Sequence, residues 1–328
     1  MKSILITGGC GFIGSNFIRY MIERYPEYKI TNLDKLTYAG NLENLKDVVH
    51  LPNYRFVKGD ICDVALVESL VSECDYLINF AAETHVDRSI DAPMDFIRTN
   101  IRGTYVLLEA AKQCGVKKFL QISTDEVYGS IDEGGFKETD PLFPSSPYSA
   151  SKAAADHMVL AYIITHNLPA LITRSSNNFG PYQFPEKVIP LFITNALEDK
   201  SLPLYADGSN VRDWIYVLDN CAAIDHVFHK GEVGEVYNVG GGNEVENIDL
   251  TKKILSSLGK PESLIKHVKD RPGHDKRYAL DCTKLKSLGW QPRYEFDSAL
   301  RSTAEWYRAN KMWWSPLKEG RKEELVGV

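Results

Sequence analysis

Two side chains that could move a proton stand four residues apart near the middle of the chain. Tyr148 and Lys152 follow Ser145-Ser146-Pro147, a sequence that is typical of a helix start. Residues four apart lie about one turn apart, so both side chains share one face of the predicted helix. A nearby ammonium favours the phenolate and lowers the pKa of a tyrosine. Tyr148 is therefore predicted to act as a base towards a hydroxyl group, although this spacing alone also occurs in purely structural helices.

A second reactive group is the run Thr124-Asp125-Glu126, which directly follows an apolar segment. Ligands of doubly wound sheets bind outside the carboxyl ends of the strands, which is where this run is expected to lie. Two adjacent carboxylates that face a cleft repel each other, so at least one of their pKa values is expected to be raised. One acid and one base side by side can remove water from a substrate. The alternative is a solvated acidic loop with a helix-capping Asp.

A glycine-rich segment, residues 7–14, comes directly after the first predicted strand. Its glycines Gly8, Gly11 and Gly14 suit a tight turn, a close approach of backbone to a pyrophosphate, and close packing of helix against strand. The N-terminus of the following helix offers amides and a dipole to phosphates. Asp34 stands twenty residues beyond Gly14, where a carboxylate can bind the adenosine ribose and disfavour a 2′-phosphate. These features together predict NAD rather than NADP, against the alternative of a glycine-rich turn beside an ordinary surface Asp.

Other polar side chains follow later strands or lie in polar loops. Guanidinium groups suit the geometry of a diphosphate, although a lone arginine more often forms a surface ion pair. His226 and His229 have helical spacing, but no third ligand stands nearby, so no metal site is predicted. The remaining polar candidates are His85, Asn177, Asn178, Arg212, Arg271 and His274.

These residues need a scaffold that brings strand ends together, and the apolar pattern predicts one. Short apolar runs alternate with longer helical patterns through the first half of the chain, and the runs at 76–80 and 118–122 are apolar on both faces, as in buried parallel strands. Repeated β-α-β units give a doubly wound parallel sheet, an α/β Rossmann fold. The predicted strands are 3–7, 29–33, 54–58, 75–80, 118–123 and 169–174, and the predicted helices are 12–24, 63–72, 95–114 and 148–166.

The pattern changes after about residue 175, where prolines interrupt the elements. We therefore predict a Rossmann domain at 1–175 and a smaller mixed α/β C-terminal substrate lobe at 176–328. The segment 214–240 has the pattern of a strand, a helix and a strand, and is predicted to return to the main sheet. A further helix is expected near 297–309. The two lobes are expected to enclose a cleft.

Composition excludes several classes of protein. The 328 residues are 44% hydrophobic and 25% charged, which is ordinary for a globular chain and argues against disorder. The formal net charge of −6 is unlike the basic footprint of a nucleic-acid binder, and it requires local cations to receive an anionic substrate. The six cysteines are scattered, as in reduced cytoplasmic proteins. Neither a signal peptide nor a membrane span is expected.

Taken together, these motifs resemble the extended short-chain dehydrogenase/reductase superfamily over nearly the whole chain. Within it, the resemblance is strongest to the dTDP-glucose 4,6-dehydratase family, because related sugar epimerases and decarboxylases typically lack the Asp-Glu pair. The resemblance rests on residues 34–41, 124–126, 148–152, 176–182 and 270–275.

The resemblance implies an NAD-dependent hydro-lyase that converts dTDP-glucose to dTDP-4-keto-6-deoxyglucose. Tyr148 is then the base that allows oxidation at C4 by NAD, and Thr124 bonds the C4 oxygen. Glu126 removes the C5 proton while Asp125 protonates the departing C6 hydroxyl, and the hydride returns to C6. The family further implies deoxysugar biosynthesis, with rhamnose as one end product, and a cytoplasmic homodimer built from the helices near 95–114 and 148–166.

The resemblance also assigns binding residues by position, and it implies no metal. The residues expected to hold NAD are Gly8, Gly11, Phe12, Ile13, Gly14, Asp34, Lys35, Thr37, Asp60, Ile61, Ala81, Ala82, Thr99, Tyr148, Lys152 and Asn178. The residues expected to bind the nucleotide sugar are Thr84, His85, Asp87, Thr124, Asn177, Lys187, Val188, Pro203, Tyr205, Arg212, Asn247, Arg271 and His274.

Two alternatives stay open at this point. One is another enzyme of the superfamily, such as a nucleotide-sugar 4-epimerase or a dehydratase that acts on a UDP- or GDP-sugar. The Asp125-Glu126 pair favours dehydration, because an epimerase needs only the tyrosine and a keto sugar that can rotate. The other is a non-catalytic dinucleotide-binding sensor or scaffold, against which Tyr148, Lys152 and the acid pair argue.

Overall fold

The computed structural model describes residues 2–270 and 274–326, and it describes side chains through residue 319. Among these residues the strands form one large sheet and two small ones. In chain order the strands are β1 (Ser3–Thr7), β2 (Lys29–Asp34), β3 (Tyr54–Lys58), β4 (Tyr76–Asn79), β5 (Lys118–Thr124), β6 (Ala170–Ser175), β7 (Asn177–Phe179), β8 (Leu202–Tyr205), β9 (Val211–Tyr216), β10 (Val236–Val239), β11 (Glu244–Glu246) and β12 (Ile265–Val268).

Helices connect most of these strands, as the alternating pattern predicts. In chain order they are α1 (Phe12–Arg24), α2 (Val64–Ser72), α3 (Val86–Asp91), α4 (Pro93–Phe96), α5 (Thr104–Cys114), α6 (Pro147–His166), α7 (Val188–Leu197), α8 (Val217–Lys230), α9 (Asn247–Leu258), α10 (Thr283–Ser287), α11 (Phe296–Ala309) and α12 (Lys311–Val326). Shorter helical turns lie at Leu42–Leu45, Asp125–Val127 and Glu262–Leu264, and a π-helical segment lies at Ile97–Gly103.

The large sheet has seven strands in the order β10-β6-β5-β4-β1-β2-β3. All of its neighbouring strands run parallel. Since β2 and β3 extend the sheet on one side of β1 while β4, β5 and β6 extend it on the other, the direction of winding reverses between β1 and β4. Ligands bind at such a switch point, outside the carboxyl ends of the strands. The doubly wound Rossmann fold predicted from the sequence is confirmed.

The predicted helix at 95–114 is interrupted by the π-helical segment Ile97–Gly103. Asn100 lies within this segment, and its side chain accepts a hydrogen bond from the amide of Glu83 at 2.8 Å and donates to the hydroxyl of Ser151 at 2.8 Å. The wider turn therefore directs a polar side chain between the segment after β4 and α6. π-Helical turns of this kind often lie at functional sites. A prediction from periodicity missed the interruption because its cause is tertiary.

The segment 214–240 divides between two sheets. Strand β9 lies in a three-stranded sheet of order β11-β9-β7, whereas β10 pairs with β6 at the edge of the large sheet. Helix α8, between them, packs against α1. Strands β12 and β8 form a third, two-stranded sheet.

One apolar core continues from the large sheet into the C-terminal lobe. It includes Phe17 on α1, Phe179 on β7, Trp214 on β9 and Leu250 on α9. Because the same core contains residues of both parts, the two parts pack tightly and the space between them is a fixed cleft. No helix in the described part of the chain is long and apolar enough to cross a membrane.

Candidate active site

The glycine-rich segment forms a tight turn between β1 and α1. Gly8 has φ +70°, and a Cβ built on it would lie 2.6 Å from the amide nitrogen of Ala81. A Cβ on Gly14 would lie 2.4 Å from the carbonyl oxygen of Gly8. Gly11 is the N-cap of α1, so the helix N-terminus carries no capping side chain there and its amides face the space above the loop. Close packing thus explains Gly8 and Gly14. Gly11 instead leaves room for an anion at the helix N-terminus.

Asp34 ends β2 beside this loop. Its Oδ2 accepts from the amide of Cys10 at 2.9 Å, and its Oδ1 accepts from the amide of Leu36 at 2.8 Å. Burial raises the pKa of this carboxyl, while the two amide hydrogen bonds oppose that rise. The next side chain, Lys35, places its Nζ 3.0 Å from Oδ2 of Asp60. The carboxylate is therefore held at one place in the wall of a pocket, as a ribose-binding group must be.

A deep pocket extends from the glycine-rich loop along the carboxyl ends of β1, β2, β4 and β5. Three features of this pocket fit a dinucleotide: the tight turn at Gly8, the uncapped N-terminus of α1 and the fixed carboxylate of Asp34. All but one of the residues expected to hold NAD line this pocket. They are Gly8, Gly11, Phe12, Ile13, Gly14, Asp34, Lys35, Thr37, Asp60, Ile61, Ala81, Ala82, Thr99, Tyr148 and Lys152.

Asn178 is the one residue of that set that does not line this pocket. It lies in β7, and its Nδ2 donates to the carbonyl of Ser176 at 2.9 Å. The side chain thus points back towards the residue before β7. This strand belongs to the three-stranded sheet and not to the large one. The structure does not bring Asn178 to the pocket where the sequence led us to expect it.

Helix α6 begins at a capping box that places Tyr148 in its first turn. Ser146 Oγ accepts from the amide of Ser149 at 3.1 Å, and Ser149 Oγ accepts from the amide of Ser146 at 3.0 Å. The hydroxyls of Thr84 and Thr124 lie near the phenol of Tyr148 and act to lower its pKa. The tyrosine therefore stands between the segment after β4 and the end of β5.

The expected effect of Lys152 on Tyr148 is wrong for the unliganded protein. Burial and the charge of Glu126 raise the pKa of Tyr148 instead of lowering it. Lys152 is 5% exposed, and its Nζ donates to the carbonyl of Ile122 at 2.7 Å. Burial lowers the pKa of this ammonium to about 8. The spacing along the helix predicted the position of Lys152, but the sequence did not show that the carboxylates of Glu126 and Asp125 lie near the phenol.

The two adjacent carboxyls have different surroundings. Asp125 is 3% exposed, its Oδ1 accepts from the hydroxyl of Thr124 at 3.2 Å, and its Oδ2 finds no hydrogen-bond partner among the described residues. Burial, followed by the charges of Glu126 and Asp213, raises the pKa of Asp125 well above its ordinary value. Glu126 instead lines a second pocket. The prediction that one pKa of the pair is raised is confirmed, and the raised one belongs to Asp125.

The second pocket lies between the large sheet and the C-terminal lobe and adjoins the first. Arg212 is buried beneath it: its guanidinium donates to the carbonyls of Val211 and Asp275 at 2.7 and 2.9 Å and lies 4.3 Å from the ring of Tyr278. A surface ion pair is thereby excluded for Arg212. The expected nucleotide-sugar residues that line this pocket are His85, Asp87, Asn177, Lys187, Val188, Pro203, Tyr205, Arg212, Asn247 and His274.

Three other expected residues lie elsewhere. Thr84 lines the first pocket, and Thr124 lies beneath the junction of the two pockets, where it contacts Tyr148 and Asp125. Arg271 lies outside the described residues.

Several side chains in or beside the pockets were not predicted from the sequence. Glu186 lines both, and its carboxylate accepts from the hydroxyl of Tyr38 at 2.9 Å and lies 3.4 Å from Nε of Arg88. The guanidinium of Arg88 in turn lies 3.8 Å from the ring of Tyr38. Tyr278, on which Arg212 stacks, was also missed. Tyr38, Glu186 and Tyr278 lie in irregular segments and Arg88 in the short helix α3, so no periodic pattern indicated their place near the site.

The two histidines considered as metal ligands have other partners. His226 Nε2 lies 2.7 Å from the carbonyl of Leu288, and His229 pairs with Asp225 at 2.7 Å. The described residues contain no cluster of three or more side chains that could hold a metal ion.

Comparison with known proteins gives a consistent result. Residues 5–303 match the family model described as GDP-mannose 4,6 dehydratase. A Haloferax volcanii protein named low-salt glycan biosynthesis protein Agl12 is 54% identical over 93% of this chain and 98% of its own length. A dTDP-glucose 4,6-dehydratase of Streptomyces niveus is 51% identical over 96% of this chain and 95% of its own length.

Solved structures agree with these relatives. The dTDP-glucose 4,6-dehydratase DesIV of Streptomyces venezuelae, solved with NAD bound, has a TM-score of 0.94 and 48% identity over 96% of this chain and 99% of its own. A UDP-glucose 4-epimerase of Thermus thermophilus is more distant, with a TM-score of 0.87 and 32% identity over 94% of this chain and 99% of its own. With Thr124, Asp125, Glu126, Tyr148 and Lys152 gathered beside a dinucleotide pocket, this chain belongs to the dTDP-glucose 4,6-dehydratase family of the extended short-chain dehydrogenase/reductase superfamily.

Proposed function

We propose that this protein is an NAD-dependent hydro-lyase that converts dTDP-glucose to dTDP-4-keto-6-deoxyglucose. The observation that carries the proposal is the meeting of two pockets at one group of reactive side chains. Tyr148 lines the first pocket, Glu126 lines the second, and Asp125 is buried beside both of them. The similarity to dTDP-glucose 4,6-dehydratases over nearly the full length supports the same reaction.

The first step needs a proton acceptor at the sugar C4 hydroxyl. NAD, when bound, supplies the acceptor for the C4 hydride and later returns that hydride to C6. Tyr148 takes the hydroxyl proton, and Thr124, whose hydroxyl lies near the phenol, holds the C4 oxygen. Lys152, one turn further along α6, supplies the positive charge that favours the phenolate as the carboxylate charges nearby are compensated by bound ligands.

The second step removes water across C5 and C6. The C4 carbonyl acidifies the C5 hydrogen, and Glu126, which faces the second pocket, takes it as a proton. The C6–oxygen bond breaks, and Asp125 donates its proton to the departing hydroxyl, which leaves as water. Burial and the charges of Glu126 and Asp213 raise the pKa of Asp125 well above its ordinary value, which favours the protonated form that donates this proton. Glu126 then returns a proton to C5. The reaction involves no net oxidation, because the hydride removed from C4 is restored at C6.

We propose a division of binding between the two parts of the chain. Residues 1–175 hold NAD, and residues 176–328 hold mainly the nucleotide diphosphate. The second pocket contains Lys187 and Arg212, which supply cationic groups to a diphosphate in a chain of net charge −6, and His274, whose imidazole can hydrogen-bond it. Thr84, His85 and Asp87, from the segment after β4, lie where the two pockets adjoin and are assigned to the sugar.

A homodimer is proposed for the assembly. Helices α5 and α6 pack side by side, and large apolar side chains stand exposed on them and on α4 just before them. Ile164 is 79% exposed, Met94 67% and Tyr105 45%. A second copy of the chain that packs its own helices on this surface removes these groups from water. A cytoplasmic location is also proposed, which the six unpaired cysteines support, as is a place in deoxysugar synthesis such as that of rhamnose.

The experiment that tests the function is incubation of the purified protein with dTDP-glucose, UDP-glucose and GDP-mannose in parallel, followed by mass spectrometry. Loss of water from dTDP-glucose alone is the expected result. Loss of water from another sugar nucleotide changes the substrate but keeps the reaction. A new hexose epimer with unchanged mass assigns a 4-epimerase, and turnover of no sugar nucleotide by NAD-loaded protein assigns a non-catalytic role.

A further inference from the structure

The C-terminal helix reaches the glycine-rich loop through a chain of hydrogen bonds. Trp313 lies in α12, and its indole N–H donates to Oδ1 of Asn44 at 2.9 Å. The side-chain amide of Asn44 donates in turn to the carbonyl of Cys10 at 2.8 Å. Asn44 is 1% exposed, so water competes little for these bonds. A residue near the end of the chain is thereby connected to the loop between β1 and α1.

The hydrogen-bond chain ends at the residue assigned to the cofactor ribose. The carbonyl of Cys10 also accepts from the amide of Asn41 at 3.0 Å, and the amide of Cys10 donates to Oδ2 of Asp34 at 2.9 Å. The orientation of Cys10 is therefore fixed from both sides, and with it the course of the loop between Gly8 and Gly11. Trp313 reaches this loop by hydrogen bonds through the side chain of Asn44.

A cluster of aromatic side chains packs α12 against residues 182–183, on the opposite side of the first pocket. The ring of Trp313 lies 5.2 Å from that of Trp306 and 5.7 Å from that of Tyr182. Tyr182 has φ +68°, a left-handed conformation that a tyrosine adopts only where its surroundings hold it. The hydroxyl of Tyr307, in the same cluster, donates to the carbonyl of Gln183, which lines the first pocket.

Arg19 contacts both Tyr182 and Asn44, and so connects the two sides of the first pocket. Its guanidinium lies 4.2 Å from the ring of Tyr182 and donates to the carbonyl of Asn44. Asn44 thus receives a hydrogen bond from Trp313 at its side chain and one from Arg19 at its backbone. The aromatic cluster therefore joins the glycine-rich loop on one side of the pocket to residues 182–183 on the other.

We propose that Trp313 is a positioning residue for the cofactor: it holds the glycine-rich loop against the dinucleotide and thereby slows NAD release. The inference rests on the proposed function, because it requires NAD in the first pocket. It also fits a reaction that restores its cofactor in every cycle, since NAD that stays bound is ready for the next turnover. Release then requires the loop to separate from α12.

The test compares Trp313→Phe with Trp306→Phe in the NAD-loaded protein. Trp313→Phe keeps an aromatic ring and removes the indole N–H, whereas Trp306→Phe trims the same side chain in the same cluster without removing a link to Asn44. Loss of one buried hydrogen bond is expected to speed NAD release about fivefold in Trp313→Phe, measured by exchange of bound NAD for isotopically labelled NAD. Trp306→Phe is expected to release NAD at close to the wild-type rate.

A second variant and a second measurement make the result independent of ring packing. Asn44→Asp keeps an oxygen acceptor for Trp313 but cannot donate to the carbonyl of Cys10, so it is expected to speed NAD release as well. Amide hydrogen exchange at residues 8–14 of the NAD-free protein is expected to be faster in both variants. Release rates and exchange equal to wild type in Trp313→Phe and Asn44→Asp overturn the positioning role alone. A wild-type protein that binds no NAD overturns the proposed cofactor, and with it this inference.

Discussion

Burial separates the roles of two adjacent carboxyls at the end of β5. Asp125 is enclosed beside Asp213 and Glu126, which favours its neutral form, whereas Glu126 faces the second pocket, which we propose holds the substrate. Two identical functional groups with different surroundings can serve as acid and base in one reaction. The order of the two residues in the sequence does not show which of them is buried.

The first prediction concerns Glu126. Glu126→Gln keeps the shape of the side chain and removes the base, so loss of water is expected to slow by about 10²–10⁴-fold while oxidation at C4 continues. The expected signature is accumulation of reduced cofactor in a single turnover, followed by absorbance. Glu133→Gln, a change of an exposed carboxylate in the loop after β5, is the control and is expected to behave as wild type. Wild-type dehydration by Glu126→Gln contradicts the assignment.

The second prediction concerns Lys152 and pH. Because its pKa is lowered to about 8, Lys152 is charged below about pH 8 and neutral above it. In the proposed reaction the ammonium stabilises the phenolate of Tyr148 as it forms, so kcat/KM is expected to fall as the pH rises through about 8. Lys152→Arg keeps its charge throughout this range. The Lys152→Arg variant is expected to be less active, and its kcat/KM is expected to fall only at a higher pH than in the wild type. If kcat/KM of the variant falls at the same pH as in the wild type, the titration belongs to another group.

The start of α1 shows how an element can depend on the absence of a side chain. A Cβ on Gly14 meets the carbonyl of Gly8 at 2.4 Å, whereas a Cβ on Gly11 meets that same carbonyl only at 3.3 Å. The two glycines belong to one motif, but only Gly14 is required by packing inside the protein itself. Gly11 is free to face a ligand.

The third prediction follows from this difference. Gly14→Ala is expected to lower the free energy of unfolding of the NAD-free protein by about 1–3 kcal/mol, because backbone must move to admit the methyl group. Gly11→Ala is expected to change it by less than about 1 kcal/mol, because its one close neighbour needs to shift only slightly. Denaturant unfolding of both variants without NAD measures the difference. Equal destabilisation by the two changes contradicts the packing argument.

Most elements of the large sheet could be predicted from sequence because each strand is a short apolar run and each connection is a helix. The predicted strand at 54–58 and helix at 12–24 agree with β3 and α1 in both bounds. The π-helical segment Ile97–Gly103 could not be predicted, because Asn100 takes its hydrogen bonds from residues distant in sequence. The contacts of Glu186 with Tyr38 and Arg88 were missed for the same reason. Motifs indicated the reactive groups, and tertiary contacts decided their pKa values.

At the scale of the whole molecule, large apolar side chains stand exposed on α4, α5 and α6, the surface that we propose as the dimer interface. Ile164 projects from the last turns of α6 and is the most exposed of these large side chains on that helix. Val233, which is 51% exposed, lies in the loop between α8 and β10 and offers a matched apolar position away from this surface.

The fourth prediction tests the dimer on this surface. Ile164→Lys places a charge in the proposed interface and is expected to shift the protein from dimer towards monomer, because an unpaired charge is costly to bury. Val233→Lys makes the same change elsewhere and is expected to leave the dimer intact. Sedimentation velocity at several protein concentrations measures both. A wild-type monomer, or an Ile164→Lys protein as dimeric as wild type, contradicts the proposed interface.

Glu186 belongs to the walls of both pockets, and this shared wall has a thermodynamic consequence. Where two ligands contact the same side chain, any displacement of that side chain by one ligand alters the free energy of binding the other. Linkage requires the effect to be reciprocal, so the factor by which NAD changes the affinity for the nucleotide sugar equals the factor by which the sugar changes the affinity for NAD. A substitution of Glu186 that changes the dissociation constant of one ligand is therefore expected to change the coupling factor between NAD and the nucleotide sugar as well.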